Sequence, residues 1–257
     1  MTSQQLQRMI VRMLFDPTLV DRIYAGKAID GLDEEARAML TRTDRRAWQT
    51  DRYRRSRALT GLIEEFPASS AQAGVGTLET FFSSSVFHRC IEDWGSMTEA
   101  FARWIAQRAG PVARIEQAMA QVRRPEPKQG TGLVLSPRVA MITVSSGTLN
   151  QYQAIRAQLG DQPLERLVKR EVQPVPRPPL RGKEHLLVEA NDAGEVSVSS
   201  ANAGLAKLLD AASVPTPRER LIAVARDLGV SPAQAQQVVR ELENDGLLVQ
   251  AEPPNSE

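Results

Sequence analysis

Apolar residues in the first half of the chain recur at the spacing of three and four that places them on one face of a helix. The first such segment carries five of them: Leu6, Met9, Ile10, Met13 and Leu14. The same spacing returns in six further segments, and no alternating strand pattern interrupts the series. The pattern therefore predicts an all-helical domain over residues 1–123.

A change of pattern follows the helical segments. Residues 124–132 contain no aliphatic or aromatic side chain and are rich in proline and glycine, which predicts a linker. Beyond it, the runs 133–135 and 139–144 are short and β-prone, which predicts strands. Residues 149–159 again have helical spacing and end before a glycine.

A β-hairpin is predicted in the next part of the chain. Two β-prone runs, residues 186–189 and 195–199, flank the turn sequence Asn-Asp-Ala-Gly at 191–194. The proline-rich residues 173–183 before the hairpin must be extended, because proline fixes its own backbone and restricts the residue before it.

Three helices are predicted after the hairpin. The second and third begin with the residues of a capping box followed by proline, at Thr216 and Ser231. Glycine ends both helices, at Gly229 and near Gly246. With a final strand at residues 247–249, this is the outline of a winged helix-turn-helix.

The predicted fold class is therefore α+β. An N-terminal all-helical domain (1–123) is followed, after the linker (124–132), by a winged helix-turn-helix-like domain with a small antiparallel sheet (133–250). Residues 251–257 are expected to form a flexible tail.

Composition bears on the compartment. A single cysteine, Cys90, excludes an internal disulfide and fits a reducing environment. The N-terminal segment lacks the apolar run and cleavage site of a secretion signal, and no stretch approaches the roughly 18 apolar residues of a membrane span. We expect a soluble cytoplasmic protein.

Catalytic motifs are not found in the sequence. The histidines His88 and His185 are far apart, and a metal site of the usual kind needs several converging ligands. The pair Gly74 and Gly76 is too short for a phosphate-binding loop. We therefore expect no enzymatic activity, no cofactor and no metal.

The distribution of charge opposes DNA binding by the winged helix. Residues 183–257 carry six Lys and Arg against twelve Asp and Glu, a net charge of −6, whereas residues 1–182 carry +7. In the third helix Arg240 stands beside Glu241 and Glu243. Because Lys and Arg contacts to phosphates supply most non-specific affinity for DNA, nucleic acid is not an expected partner. A winged-helix DNA-binding transcriptional regulator remains the alternative function.

Two candidate interaction sites remain. A peptide could add a strand to the hairpin edge and place side chains against the third helix. The residues predicted to bind it are Glu195, Val196, Ser197, Val198, Ser199, Gln237 and Arg240. A second site is an arginine-rich segment interleaved with aromatic residues, either a solvated helix face or a docking face for an acidic partner. Its predicted docking residues are Arg45, Trp48, Tyr53, Arg54 and Arg55.

Several short motifs in the chain, in this order, carry a resemblance to a known family. They are Leu14-Phe15-Asp16-Pro17 through Ile23-Tyr24, residues 44–48, 51–55 and 65–67, Leu133-x-Leu135-x-Pro137, Leu186-Leu187-Val188, and the hairpin leading into residues 203–209. Together they resemble the partner proteins of multinuclear non-heme iron oxidases, the group of the methanobactin-synthase small subunit. The C-terminal part is similar to the peptide-recognition element of pathways that modify ribosomally made peptides.

The resemblance implies a role for the protein. Family members pair with a TIM-barrel-type iron oxidase that modifies a precursor peptide; they carry no iron ligands, engage the leader segment and dock on the enzyme as a heterodimer. On this basis we expect a non-catalytic accessory subunit whose partners are a multinuclear iron oxidase and a precursor peptide. This chain departs from the shortest members by its fuller third helix and final strand, at residues 232–249.

Overall fold

The computed structural model describes residues 1–49, 52–93, 95–176 and 181–253. The helices are α1 (Ser3–Phe15), α2 (Pro17–Tyr24), α3 (Glu34–Thr41), α4 (Arg45–Gln49), α5 (Arg52–Glu65), α6 (Pro67–Ala73), α7 (Val75–Leu78), α8 (Ser85–Glu92), α9 (Met97–Ala109), α10 (Val112–Arg123), α11 (Thr148–Leu159), α12 (Pro163–Val168), α13 (Ala203–Ala211), α14 (Arg218–Asp227) and α15 (Pro232–Asn244), with a 3-10 helix at Glu79–Ser83. The strands are β1 (Leu133–Leu135), β2 (Val139–Ser145), β3 (Lys183–Ala190), β4 (Val196–Ala201) and β5 (Leu248–Gln250). The α+β class, with helices first and small antiparallel sheets afterwards, is confirmed.

Two compact units divide the chain. Unit 1 comprises Met1–Ala113 and Ala154–Val175, and unit 2 comprises Arg114–Gln153 and Pro176–Glu257. The three borders between them fall inside α10, inside α11 and after Val175, and none falls in the predicted linker at 124–132. The chain thus leaves unit 1 within α10, returns to it within α11, and leaves it again after α12.

The predicted linker is partly built into unit 2. Gly130 N–H donates to Glu252 O (2.8 Å), Glu252 N–H donates to Lys128 O (3.1 Å), and Ala251 N–H donates to Gly132 O (2.9 Å). These bonds tie the end of the linker to the start of the predicted tail, so a free linker and a flexible tail are wrong for these residues. Residues 254–257 of the tail lie outside the described part of the chain.

An aromatic cluster forms the core of unit 1. Its buried members are Phe15, Phe66, Phe81, Phe82, Phe87, Phe101 and Trp104. Neighbouring rings meet at tilted or edge-to-face angles with centroids 5.1–5.5 Å apart, for example 5.1 Å and 89° for Phe81 and Phe101. Edge-to-face packing brings the positive ring edge to the negative ring face, which adds to the burial of apolar surface. The cluster joins α1, α8, α9, the 3-10 helix and the junction between α5 and α6 around one centre.

Unit 2 contains two small antiparallel sheets. One has the strand order β2-β3-β4, with Val188 of β3 paired to both Ala140 and Val198. The other pairs β1 with β5, in the register Val134 to Val249. The strand that follows the third helix therefore pairs with β1, and the hairpin β3–β4 belongs to the other sheet.

The two faces of the three-stranded sheet pack on different helices. Even-numbered residues, such as Ile142, Val188 and Val198, face Ala118 and Val122 of α10. Odd-numbered residues face a second core, built on α13, α14 and α15; Met141 and Leu187 pack there against Leu208 and its neighbours. Since side chains alternate along a strand, this two-sided burial explains the nearly continuous apolar run in β3.

The capping predictions for the last two helices have different outcomes. Ser231 accepts from Gln234 N–H, and the Gln234 side chain reaches back to Ser231 N–H, so the capping box of α15 is confirmed. The capping box at Thr216 is wrong: α14 begins at Arg218 without a side-chain cap. Thr216 instead exchanges backbone hydrogen bonds with Leu133 (2.8 and 2.9 Å), and its hydroxyl donates to the Ala211 carbonyl.

Candidate peptide-binding edge and docking surface

Strand β4 lies at an edge of its sheet. Among the described residues, its only strand partner is β3. The strand spans Val196–Ala201, so it begins one residue later and ends two residues later than the predicted run 195–199. Its outer side is the position at which an extended peptide can pair.

The hairpin turn accounts for the later start of the strand. Asn191 N–H donates to Glu195 O (3.0 Å), while Glu195 N–H donates to Asn191 Oδ1 (2.9 Å). The Asn191 amide group also donates to the Glu195 carboxylate (2.8 Å). Glu195, predicted as a peptide-binding residue, is thus engaged in closing the turn.

The register of the hairpin decides which backbone groups of β4 are free to pair. In an antiparallel sheet, hydrogen-bonded residue pairs alternate with pairs that share no hydrogen bond. Asn191 and Glu195 form a hydrogen-bonded pair, so every second pair from there along the β3–β4 ladder is hydrogen-bonded too. Ser197 and Ser199 therefore point their N–H and C=O groups inward, toward β3. The outward groups belong to the even-numbered residues: Val196, Val198 and Ser200.

The side chains of β4 alternate in burial as well. Val196 and Val198 are half-buried on the face that α10 covers, whereas Ser197 and Ser199 are exposed on the opposite face. An added strand would therefore find small polar side chains on one face and an apolar margin on the other.

The two residues predicted on the third helix are exposed, and their helix makes few direct contacts with this sheet. Gln237 and Arg240 are exposed on α15, where Gln237 Nε2 donates to Glu241 Oε1 (2.9 Å). Helix α15 packs chiefly on α14 and β5, while α13 packs on β2 and β3. The expected floor from the third helix is therefore not found beside β4: α13 packs on β2 and β3, and Ser197 and Ser199 on that face of β4 are exposed.

Trp48 is a packing residue of unit 1 rather than an exposed anchor. It is half-buried against the apolar cluster of α1 and α2, which includes Met13 and Ile23. Its Nε1–H donates to Tyr24 Oη (3.0 Å). The aromatic residue that stands out from the basic segment is Tyr53, which is 83% exposed.

The predicted docking arginines differ in their surroundings. Arg45 is exposed and ion-paired with Asp21 (2.5 Å), and Arg54 is exposed next to Tyr53 on α5. Arg55 turns inward and lines a cleft of about 520 Å³ together with Pro17, Ser56, Leu59, Glu79 and Phe82. Sequence reasoning missed this cleft because its walls come from α2, α5 and the 3-10 helix.

A buried polar network next to this cleft was also missed. Asp16 is 2% exposed, and its Oδ1 accepts from Thr18 N–H (3.0 Å), Leu19 N–H (3.3 Å) and Ser83 Oγ (2.9 Å). His88 Nε2 lies 3.2 Å from its other oxygen. Burial by itself raises the pKa of Asp16, but the hydrogen bonds outweigh it and lower the pKa to about 2. Asp16 is also the N-cap of α2, a local role, whereas its contacts with α8 and the 3-10 helix have no local sequence signal.

Within the part of the chain that the structure describes, no three His, Cys, Asp or Glu side chains converge in a way that could hold a metal ion. The helices of the same residues include none with the length and apolar character needed to cross a bilayer. Comparison with family models finds no match to the chain, and comparison with curated proteins finds no significant one.

Proposed function

We propose that the protein is a non-catalytic cytoplasmic partner protein that binds the leader of a ribosomally made precursor peptide and delivers it to a multinuclear non-heme iron oxidase. The observation that carries the peptide-binding part is the free edge of β4, with three outward backbone positions on one side of a three-stranded sheet. The oxidase as the enzyme partner rests on the family resemblance of the sequence motifs.

The chemistry of the β4 edge supports peptide binding. Its exposed side chains, Ser197, Ser199 and Ser200, are small and uncharged, so they neither repel a second strand nor block its approach. Proteins usually protect such edges with charge, proline or a covering element, because an unpaired strand invites pairing. Main-chain hydrogen bonds would then supply affinity, and side chains of the peptide would supply specificity.

Hydrogen exchange of the full-length protein, followed by NMR, tests this proposal residue by residue. The probe is a set of overlapping 20-residue synthetic peptides that covers the short reading frames next to the gene. A peptide that pairs with β4 should slow exchange at Val196, Val198 and Ser200, whose amides face outward. The amides of Ser197 and Ser199 should change little, because β3 already protects them.

Two other outcomes count against the proposal. Binding that protects α15 or unit 1 and leaves the three outward amides unchanged would refute strand addition at β4. Binding of duplex DNA that weakens steeply between about 50 and 200 mM salt would favour the transcriptional regulator instead.

A further inference from the structure

The guanidinium group of Arg55 lines this cleft. Among the described residues, its buried Nε–H donates to no acceptor, and the carboxylate of Glu79 lies 4.0 Å from Nη2. That separation is beyond hydrogen-bonding distance. The remaining contact is with the ring of Phe82, whose centroid lies 5.9 Å from Cζ.

Such an arrangement indicates a missing acceptor. Buried donors in folded proteins nearly always have partners, and an arginine left without one costs more than a neutral group. The Arg55 side chain is only 23% exposed, so bulk water reaches little of it. Its planar group with parallel N–H donors matches the geometry of a carboxylate.

The cleft has room and walls for more than one carboxylate. Its volume of about 520 Å³ is in the range of small-ligand sites. Pro17, Leu59 and Phe82 form apolar walls, and Phe82 is held rigidly by the aromatic cluster. The site therefore fits an acidic side chain accompanied by an apolar neighbour.

The surroundings favour a polypeptide as the source of that carboxylate. Helix α5 carries a further exposed arginine, Arg54, directly before Arg55 in the sequence. Tyr53 projects from the same helix with 83% of its surface exposed. Positive charge that steers an acidic segment, beside an exposed tyrosine, is typical of a protein-docking surface.

We propose that the Arg55 cleft receives a Glu or Asp side chain, with an adjacent apolar residue, from an acidic segment of the partner protein. Glu79 also lines the cleft, with its carboxylate 4.0 Å from Nη2 of Arg55, so it competes with the incoming carboxylate. The inference rests on the proposed function and specifies its docking part. Because β4 belongs to unit 2 and Arg55 to unit 1, the hydrogen-exchange test at β4 can succeed or fail independently of the test of the cleft.

The test uses full-length protein and the Nε–Hε NMR signal of Arg55, assigned with Arg55→Lys. The probe is N-acetyl-Leu-Glu-amide, and its neutral match is N-acetyl-Leu-Gln-amide. The acidic probe should shift the Arg55 signal saturably at millimolar concentration, and the neutral one should not. Glu79→Gln should tighten binding of the acidic probe roughly two- to fivefold, since it removes the competing charge. Arg57→Gln, a charge change on the same helix outside the cleft lining, should alter the affinity less than about twofold.

Other outcomes overturn the proposal. An equal response to both peptides would show that the carboxylate is not recognised, and no saturable shift in the Glu79→Gln variant would show that the cleft is not a site. A response to inorganic phosphate or to N-acetyl-leucinate that exceeds the response to N-acetyl-Leu-Glu-amide would assign the cleft to a different anion.

Discussion

His88 holds its Nε2 atom 3.2 Å from the Oδ2 atom of Asp16, while its Nδ1 atom lies 3.2 Å from Nη2 of Arg12. Because arginine can only donate, Nδ1 must accept, and the ring proton of the neutral tautomer therefore lies on Nε2, next to the carboxylate. One imidazole thus connects α1, the start of α2 and α8. Asp16 is the anionic centre of this network and the N-cap of α2.

Removing the charge of Asp16 should destabilise unit 1. Asp16→Asn retains an N-cap residue but loses the carboxylate charge that the surrounding hydrogen bonds stabilise, so the free energy of unfolding at pH 7 should fall by about 2 kcal/mol, the value that follows from a pKa of about 2 against 3.8. Urea unfolding measures this difference. Asp21→Asn, at an exposed ion pair with Arg45, should cost less than about 1 kcal/mol.

The same carboxylate predicts a pH dependence. The pKa of Asp16 is lower in the folded state than in the unfolded one, so its contribution is fully present above about pH 4 and disappears as the pH falls through about 2. The difference in stability between the wild type and Asp16→Asn should therefore shrink between pH 4 and pH 2. A difference that stays constant over this interval would show that the charge of Asp16 is not responsible.

Substitutions at two neighbouring serines can test separately the side of β4 that pairs with β3 and its outer edge. Ser199 directs its N–H toward β3, whereas Ser200 directs it outward, and both side chains are exposed. Ser199→Pro should therefore break the hairpin and lower the melting temperature by several degrees. Ser200→Pro should leave the melting temperature within a few degrees and abolish binding of an added strand. Ser197→Pro belongs to the first class, because that residue also faces β3.

Isothermal titration with the peptide that protects the β4 amides, together with thermal melts, distinguishes the two positions. If Ser200→Pro binds the peptide as tightly as the wild type, pairing does not occur at this edge.

Features set by neighbouring residues could be predicted from the sequence, and features set by distant ones could not. The cap at Ser231 and the turn at Asn191–Gly194 depend on a few consecutive residues, and the structure has both. Thr216 begins a capping sequence of the same type, but its backbone forms hydrogen bonds with a strand more than eighty residues earlier in the chain. The borders of the units were missed for the same reason, since α12 returns to unit 1 through packing on α5 and α6.

The candidate sites show the same limit. The β4 strand could be located from alternation, but the inward or outward direction of each N–H depends on the register of the turn. The arginine-rich segment could be located from composition, yet sequence could not show that Trp48 packs inward and that Arg55 faces a cleft. Both facts depend on residues from other helices.

A carboxylate from β3 caps helix α11. Glu184 accepts hydrogen bonds from Gly147 N–H (3.1 Å) and Leu149 N–H (2.8 Å), which satisfies free donors of the first turn and places negative charge at the positive end of the helix. Glu184→Ala should lower the free energy of unfolding by about 1–2 kcal/mol and speed amide exchange at Leu149. Glu189→Ala, on the same strand, should leave exchange at Leu149 unchanged. Equal exchange rates in both variants would show that the contact does not stabilise the helix.

Gly132 tests whether the predicted linker is part of the fold. Its φ of +106° disfavours any other residue, and an added Cβ would lie 2.5 Å from the Thr216 carbonyl oxygen. Gly246 also has a positive φ, of +74°, but a Cβ there would meet no atom within 4 Å. Gly246→Ala should therefore cost only the backbone strain, about 1 kcal/mol, whereas Gly132→Ala adds a steric clash and should cost about 3 kcal/mol. Denaturant unfolding of both variants measures the difference. If both variants lose the same free energy of unfolding, the segment before β1 can move to make room for the added Cβ without disturbing the bridge between Leu133 and Thr216. The segment would then behave as a free linker.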